Sequence, residues 1–153
     1  MIKGIHHTSI TTPDVDRLAK FYTEQLGFEV VSRSGWDGGN AAADAIYGLK
    51  DTAVRMVMLK TSNSYLELFQ FISPEGAPAE ANRPICNPGV THICLMVDDA
   101  RAEYERLSKA GMVFHCPPQD AGSVGSATYG RDPDGNIVEL LQPAPDGAFP
   151  SLI

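Results

Sequence analysis

The chain repeats itself, and that repeat is what most limits how it can fold. Setting GIHHTSITTPD (4–14) beside GVTHICLMVDD (89–99) aligns Gly4 with Gly89, His7 with His92, Ile10 with Leu95 and Asp14 with Asp99, at a constant offset of 85 positions (92 − 7). A second echo closes each half. YLELFQ (65–70) matches IVELLQ (137–142), which places Glu67 and Glu139 inside apolar, strand-like sequence ending in Gln70 and Gln142. Internal similarity of this kind marks a duplicated supersecondary unit.

Between the echoes both halves follow one order of elements. In TPDVDRLAKFYTEQLG (12–27), Thr12 suits a helix cap, Pro13 the first helical position and Gly27 a left-handed stop. Val15, Leu18, Tyr22 and Leu26 form one apolar stripe at helical spacing. In DDARAEYERLSKAG (98–111), Asp98 takes the cap, Ala100, Tyr104 and Leu107 the stripe, and Gly111 the stop. Strand-like runs follow: FEVVSR (28–33) and AVRMVMLK (53–60) in the first half, MVFHC (112–116) and SATYG (126–130) in the second. The turns TSNS and DPDGN have the composition that strand connections demand. Each half therefore reads βαβββ.

The segment ISPEGAPAEANRPICNPG (72–89), with four prolines, marks the junction. Module one is expected at 1–73, a linker at 74–88, module two at 89–142 and a tail at 143–153 whose three prolines disfavour a helix. A chain of 153 residues suits one domain containing both modules. Only the first half carries an insertion, SGWDGGNAAADAIYGLKD (34–51), with Trp36 and a helix-like AAADAIYG. Loops of this length are uncommon without a function, so the insertion is expected to border a substrate.

Of the adjacent pair His6 and His7, one repeats. Successive strand side chains face opposite ways, so the two cannot serve one site. His7 is the matched one, at His92; His6 corresponds to Thr91 and is expected on the helix side, making a local hydrogen bond. Alternation groups His7 with Ser9 and Thr11, His92 with Cys94 and Met96, Glu67 with Tyr65 and Phe69, and Glu139 with Ile137 and Leu141. A carboxylate buried among such neighbours is costly unless its charge is compensated. If a pseudo-twofold axis relates the copies, His7, Glu67, His92 and Glu139 can point toward one place. Two imidazoles and two carboxylates suit a divalent metal ion, Ni, Co, Zn, Mn or Fe, with positions left for substrate.

The net charge of −7 argues against nucleic acid or an anionic membrane as partner. No run approaches the roughly 18 apolar residues of a membrane span, and no signal-peptide pattern opens the sequence. A soluble, cytoplasmic protein acting on a small-molecule substrate is expected. Cys86, Cys94 and Cys116 form no CxxC pair, so neither a disulfide framework nor a zinc ribbon is suggested. His115, in FHCPP, lacks a counterpart in the first half and is read as structural or surface.

These residues resemble the vicinal oxygen chelate superfamily, which includes glyoxalase I, methylmalonyl-CoA epimerase and the extradiol dioxygenases. The likeness runs from GIHHTSI through FYTEQLGFEVV, YLELFQ and GVTHICLMVDD to DPDGNIVELLQ, nearly the whole chain. It implies an α+β fold in which two tandem βαβββ modules form a curved, partly open mixed sheet around a metal site. It implies a homodimer, with the four ligands drawn from one chain or from two. The positions matching the family's ligand pattern are His7, Glu67, His92 and Glu139. Members hold two neighbouring substrate oxygens on the metal, which stabilises an enediolate-type anion by charge compensation. A glyoxalase I-like lyase or isomerase is the leading expectation; Glu139 then serves as general base and Glu67 as its partner on the opposite side. Substrate contacts are expected from Ser9, Arg33, Trp36, Arg55, Tyr65, Phe69, Met96 and Tyr129, the two arginines as anchors for an anionic cosubstrate such as glutathione.

Three alternatives accompany this reading. A methylmalonyl-CoA epimerase-like isomerase shares the strand-initial IxHxxI pattern, although that enzyme commonly carries Gln where this chain has Glu67. An Fe(II) extradiol-type dioxygenase resembles YGRDPDGNIVE, with Tyr129 before the turn, but AGSVGSA (121–127) lacks the upstream histidine and Glu67 is then surplus. A non-catalytic small-molecule binding protein would use a hollow lined by Tyr65, Phe69, Met96 and Trp36.

Overall fold

The computed structural model describes residues 1–78, 80 and 82–152. The chain divides into two compact units, Met1–Ala79 and Glu80–Ile153. The N-terminal unit runs β1 (His7–Thr11), α1 (Val15–Glu24), β2 (Glu29–Trp36), α2 (Ala41–Tyr47), β3 (Ala53–Lys60) and β4 (Tyr65–Ser73). Its sheet has the order β1-β4-β3-β2, with β1 parallel to β4 and the other pairs antiparallel. The C-terminal unit runs β5 (His92–Met96), α3 (Ala100–Lys109), β6 (Val113–Phe114), β7 (Gln119–Asp120), β8 (Gly125–Arg131) and β9 (Ile137–Pro143). Its order is β5-β9-β8-β6, β5 lying parallel to β9 and β7 pairing with β8. The protein is thus an α+β fold of two open mixed sheets, each with a βαβββ core. Among the described residues no helix is long and apolar enough to cross a membrane.

Each helix covers one face of its own sheet. Val15, Leu18, Ala19 and Tyr22 of α1 are buried, as are Val57 and Leu59 of β3 and Leu66 and Leu68 of β4. In the second unit Ala100 and Leu107 of α3 are buried, with Val138 and Leu140 of β9. Periods of 3.6 and 2 bring these residues to facing surfaces.

The expected caps shift by one or two residues. Asp14, rather than Thr12, caps α1 by accepting from the Arg17 amide, and Asp99, rather than Asp98, caps α3 by accepting from the Ala102 amide. Pro13 consequently lies outside the helix. Thr12 Oγ1 accepts from the Asp14 amide (3.1 Å), shaping the turn into the cap. The repeated glutamines complete the same task. Gln70 Oε1 accepts from Val15 N (3.2 Å) and Gln142 Oε1 from Ala100 N (3.0 Å), so each closing strand satisfies an otherwise orphaned amide of its helix. At the end of α3, Gly111 (φ +97°) supports the bonds Gly111 N to Ser108 O and Met112 N to Leu107 O, a Schellman stop.

MVFHC contracts to the two-residue β6, because Pro117 and Pro118 cannot extend a ladder that needs amide donors. The inserted segment of the first unit folds as anticipated into a helix, α2. Asn40 caps it, Gly48 (φ +65°) ends it, and Asp44 accepts from the Asp51 and Thr52 amides and the Thr52 hydroxyl. Those Thr52 bonds hold the Asp44 carboxyl below the usual carboxylate range.

Candidate functional site

In the first unit the β1–β4 ladder sets His7 beside Tyr65 and Ser9 beside Glu67, all on the face away from α1. His7 Nε2 stands 3.3 Å from Glu67 Oε2. Its other nitrogen, Nδ1, is 2.9 Å from His6 Nδ1, and the His6 ring stacks on Tyr65 at 5.0 Å and 14°. His6 makes a local hydrogen bond, as expected, but to His7 itself; it is exposed and precedes β1 rather than lying under the helix.

The second unit repeats this arrangement. His92 Nε2 lies 3.0 Å from Glu139 Oε2, and Thr91 Oγ1 lies 2.8 Å from His92 Nδ1. In both copies the preceding residue engages Nδ1 and leaves Nε2 toward the carboxylate, a common way of fixing a ligand's ring orientation.

The neighbours of the two carboxylates differ. Ladder register places Ser9 and Met58 on either side of Glu67, and Cys94 and Tyr129 on either side of Glu139. Glu139 is buried, at 8% exposure. Burial, the Glu139 charge and a hydrogen bond donated to Glu139 push the Cys94 thiol up to about 12. Tyr129 meets His92 edge-on at 5.2 Å, and burial followed by the Glu139 charge raises its phenol. His115, an exposed residue, donates its amide to Tyr129 O (2.8 Å), and its ring lies 6.4 Å from that of the tyrosine.

Arg33 and Arg55 do not reach the Glu67 face. Arg33 pairs across the ladder with Val57, and Arg55 with Gln70, which belong to the α1 side. Their guanidinium groups meet Asp16 (2.5 Å) and Asp37 (2.6 Å). The cause in β2 is a bulge between Val30 and Ser32: one extra residue inverts the alternation and turns Arg33 away. The same bulge brings Trp36 level with Val54 and Phe71, on the Glu67 face. Phe69 and Tyr65 lie on that face too, while Met96 shares the His92 face in the second unit. Sequence reading overlooked Tyr47, the last residue of α2, whose signal was an aromatic directly before a helix-ending glycine. It stacks on Trp36 (6.1 Å, 6°) and meets Phe69 and Phe71 edge-on at 5.8 and 5.9 Å. Burial first and the Glu67 charge second raise its phenol.

Among the described residues no group of three or more His, Cys, Asp and Glu side chains gathers; the donors come as two pairs, one in each unit. Each pair fits a metal in donor chemistry and spacing. Bonds of about 2.1 Å to adjacent positions on one ion bring a nitrogen and an oxygen to about 3 Å from each other, and the pairs stand at 3.3 and 3.0 Å.

Residues 4–140 match the family model of the Glyoxalase/Bleomycin resistance protein/Dioxygenase superfamily. The chain belongs to this superfamily. Relatives in the superfamily include a lactoylglutathione lyase of Pseudomonas putida, 28% identical over 92% of this chain and 85% of that protein. An ethylmalonyl-CoA/methylmalonyl-CoA epimerase of Cereibacter sphaeroides is 30% identical over 93% of this chain and 99% of its own length. Among solved structures, a glyoxalase family protein from Bacillus cereus superposes with a TM-score of 0.84 at 20% identity, covering 95% of this chain and 97% of that one.

Proposed function

We propose that the protein is a divalent-metal-dependent, glyoxalase I-like lyase or isomerase that moves a proton between adjacent carbons of a small substrate. The observation that carries this is the repeated His–Glu contact, present in both units with Nδ1 of each histidine engaged by the preceding residue. His7, Glu67, His92 and Glu139 are the residues that would hold Ni, Co, Zn, Mn or Fe. When bound, the ion supplies Lewis-acid charge compensation to two neighbouring substrate oxygens and acidifies the C–H beside them. Glu139 removes that proton and returns it to the adjacent carbon. Its burial against Cys94 and Tyr129 limits water around the carboxylate and keeps it aimed. Glu67 stands as its counterpart in the first unit. We take the protein to be a cytoplasmic homodimer, with the four donors supplied by one chain or by two.

Epimerase-like isomerisation is the second reading, supported by the relative matched over almost its whole length. It uses the same proton transfer beside a polarised carbonyl. The deciding experiment is metal analysis of purified protein followed by a panel of methylglyoxal with glutathione, methylmalonyl-CoA and a catechol. One divalent ion per four-ligand set and turnover of the hemithioacetal are expected; preference for methylmalonyl-CoA selects the epimerase. Oxygen uptake with catechol after anaerobic Fe(II) loading selects a dioxygenase. No affinity for any first-row ion sinks the metal reading and leaves a binding protein.

A further inference from the structure

The insertion has a built interior that the proton-transfer reading does not require. Helix α2 is held at three points: the Asn40 cap, the Asp44 bonds to Asp51 and Thr52, and the Gly48 stop. Thr52 in turn accepts from Trp36 Nε1 at 3.1 Å. The buried Thr52 thus ties strand β2 and helix α2 together through two side chains. What this framework positions is a set of rings. Trp36 and Tyr47 lie parallel, Phe69 and Phe71 lie parallel, and Tyr47 meets the second pair edge-on.

These rings stand beside Glu67. Phe69 and Phe71 follow it at two-residue steps along β4, on the same face, so the nearer ring begins about 7 Å along the strand from the carboxylate. Trp36, Tyr47 and Phe71 all keep partial exposure, so their faces are not consumed by the core. The corresponding stretch of the second unit has no such helix: α3 is followed by β6, β7 and a short 3-10 turn at Gly122–Val124. Arg33 and Arg55 do not anchor a substrate here, because they occupy the opposite face and are paired, which leaves Lys60, level with Tyr65, as the cation of β2 and β3 on the Glu67 face.

We infer that the Trp36–Tyr47–Phe69–Phe71 cluster is the specificity wall of the site, and that it selects a substrate whose reacting carbons carry a flat, unsaturated or aryl substituent. Partly exposed aromatic rings attract such a group by stacked and edge-on contact, which a small alkyl substituent cannot match. This rests on the proposed function only for placing the substrate on an ion that Glu67 would help to hold.

The test compares benzoylformate with pyruvate, which present the same pair of neighbouring oxygens but carry phenyl and methyl groups. Full-length protein loaded with Zn(II) is titrated with each by calorimetry, while emission of Trp36, the chain's single tryptophan, reports whether the wall is engaged. Benzoylformate is expected to bind at least about tenfold more tightly than pyruvate and to perturb Trp36. Tyr47→Ala should reduce the preference to within about twofold, and Tyr47→Phe should keep it. If Tyr47→Ala does not fold, the wild type and Tyr47→Phe decide. Equal affinities in zinc-loaded wild type overturn the inference and leave the metal reading standing. Failure to retain zinc sinks the metal reading instead; a benzoylformate preference that persists without metal and disappears in Tyr47→Ala still upholds the wall.

Discussion

The two units share a parallel strand pair, a helix capped by an aspartate and a distant glutamine, and a His–Glu contact, yet their carboxylates keep different company. Glu67 lies between Ser9 and Met58 on a sheet extended by an aromatic insertion; Glu139 is buried between Cys94 and Tyr129. Duplication conserved two donors in one geometry, a pair that suits a metal. The surroundings diverged, and the proposed mechanism assigns proton transfer to the second copy and substrate shaping to the first. The difference also shows why donor residues alone do not name an activity: His–Glu pairs bind, and their neighbours decide what is done with the bound group.

The largest test of this asymmetry is a pair of isosteric changes. Glu139→Gln should lower kcat on the hemithioacetal by about a thousandfold, and Glu67→Gln by about tenfold, with both proteins folded by circular dichroism. Equal losses would remove the functional distinction between the units.

A second contrast lies in the thiols. In metal-free protein, Cys94 is pushed from an ordinary value near 9 to about 12, so it stays protonated at pH 9. At pH 9 its alkylation by iodoacetamide, followed by mass spectrometry, should be at least about a hundredfold slower than that of free cysteine, since only the thiolate reacts. The sign for stability follows from linkage: the folded state favours the protonated thiol, so this contribution is complete below pH 9 and is lost as pH rises through about 12. Rapid modification of Cys94 at pH 9 breaks the claimed contact with Glu139.

Two smaller effects should instead be equal between the units. His6→Ala and Thr91→Ala each free the Nδ1 of a ligand histidine, and each should weaken metal binding by about tenfold in calorimetry, with Thr91→Ser restoring it. Loss in one copy only would show that the preceding residue matters in that copy alone. Gln70→Ala and Gln142→Ala remove matched acceptors from α1 and α3, and each should cost about 1 kcal/mol in urea unfolding. Unequal costs would mean that one helix start is held by other contacts.

Much of this was legible in order along the chain. The βαβββ grammar, the matched His–Glu sets, the hairpin strand AVRMVMLK and the helical nature of AAADAIYG depend on periodicity and spacing, which the sequence displays directly. The cap positions slipped because Thr12, Asp14, Asp98 and Asp99 are all competent caps, and the choice belongs to the backbone angle at which each strand ends. Arg33 could not be placed for a sharper reason. A single bulged residue in β2 reverses every later side chain of that strand, and no local signal near Val31 announces it.

By itself, the sequence determined that there are two copies of one unit, that each contributes a histidine and a glutamate, and that an insertion distinguishes the first copy. Those are statements about which residues recur and at what period. Only the tertiary structure decided which nitrogen each histidine offers, that Arg33 and Arg55 face α1 rather than Glu67, and that Tyr47 joins Trp36, Phe69 and Phe71. These depend on strand register and on contacts between residues distant in sequence, where a shift of one position moves a side chain to the other face of the sheet.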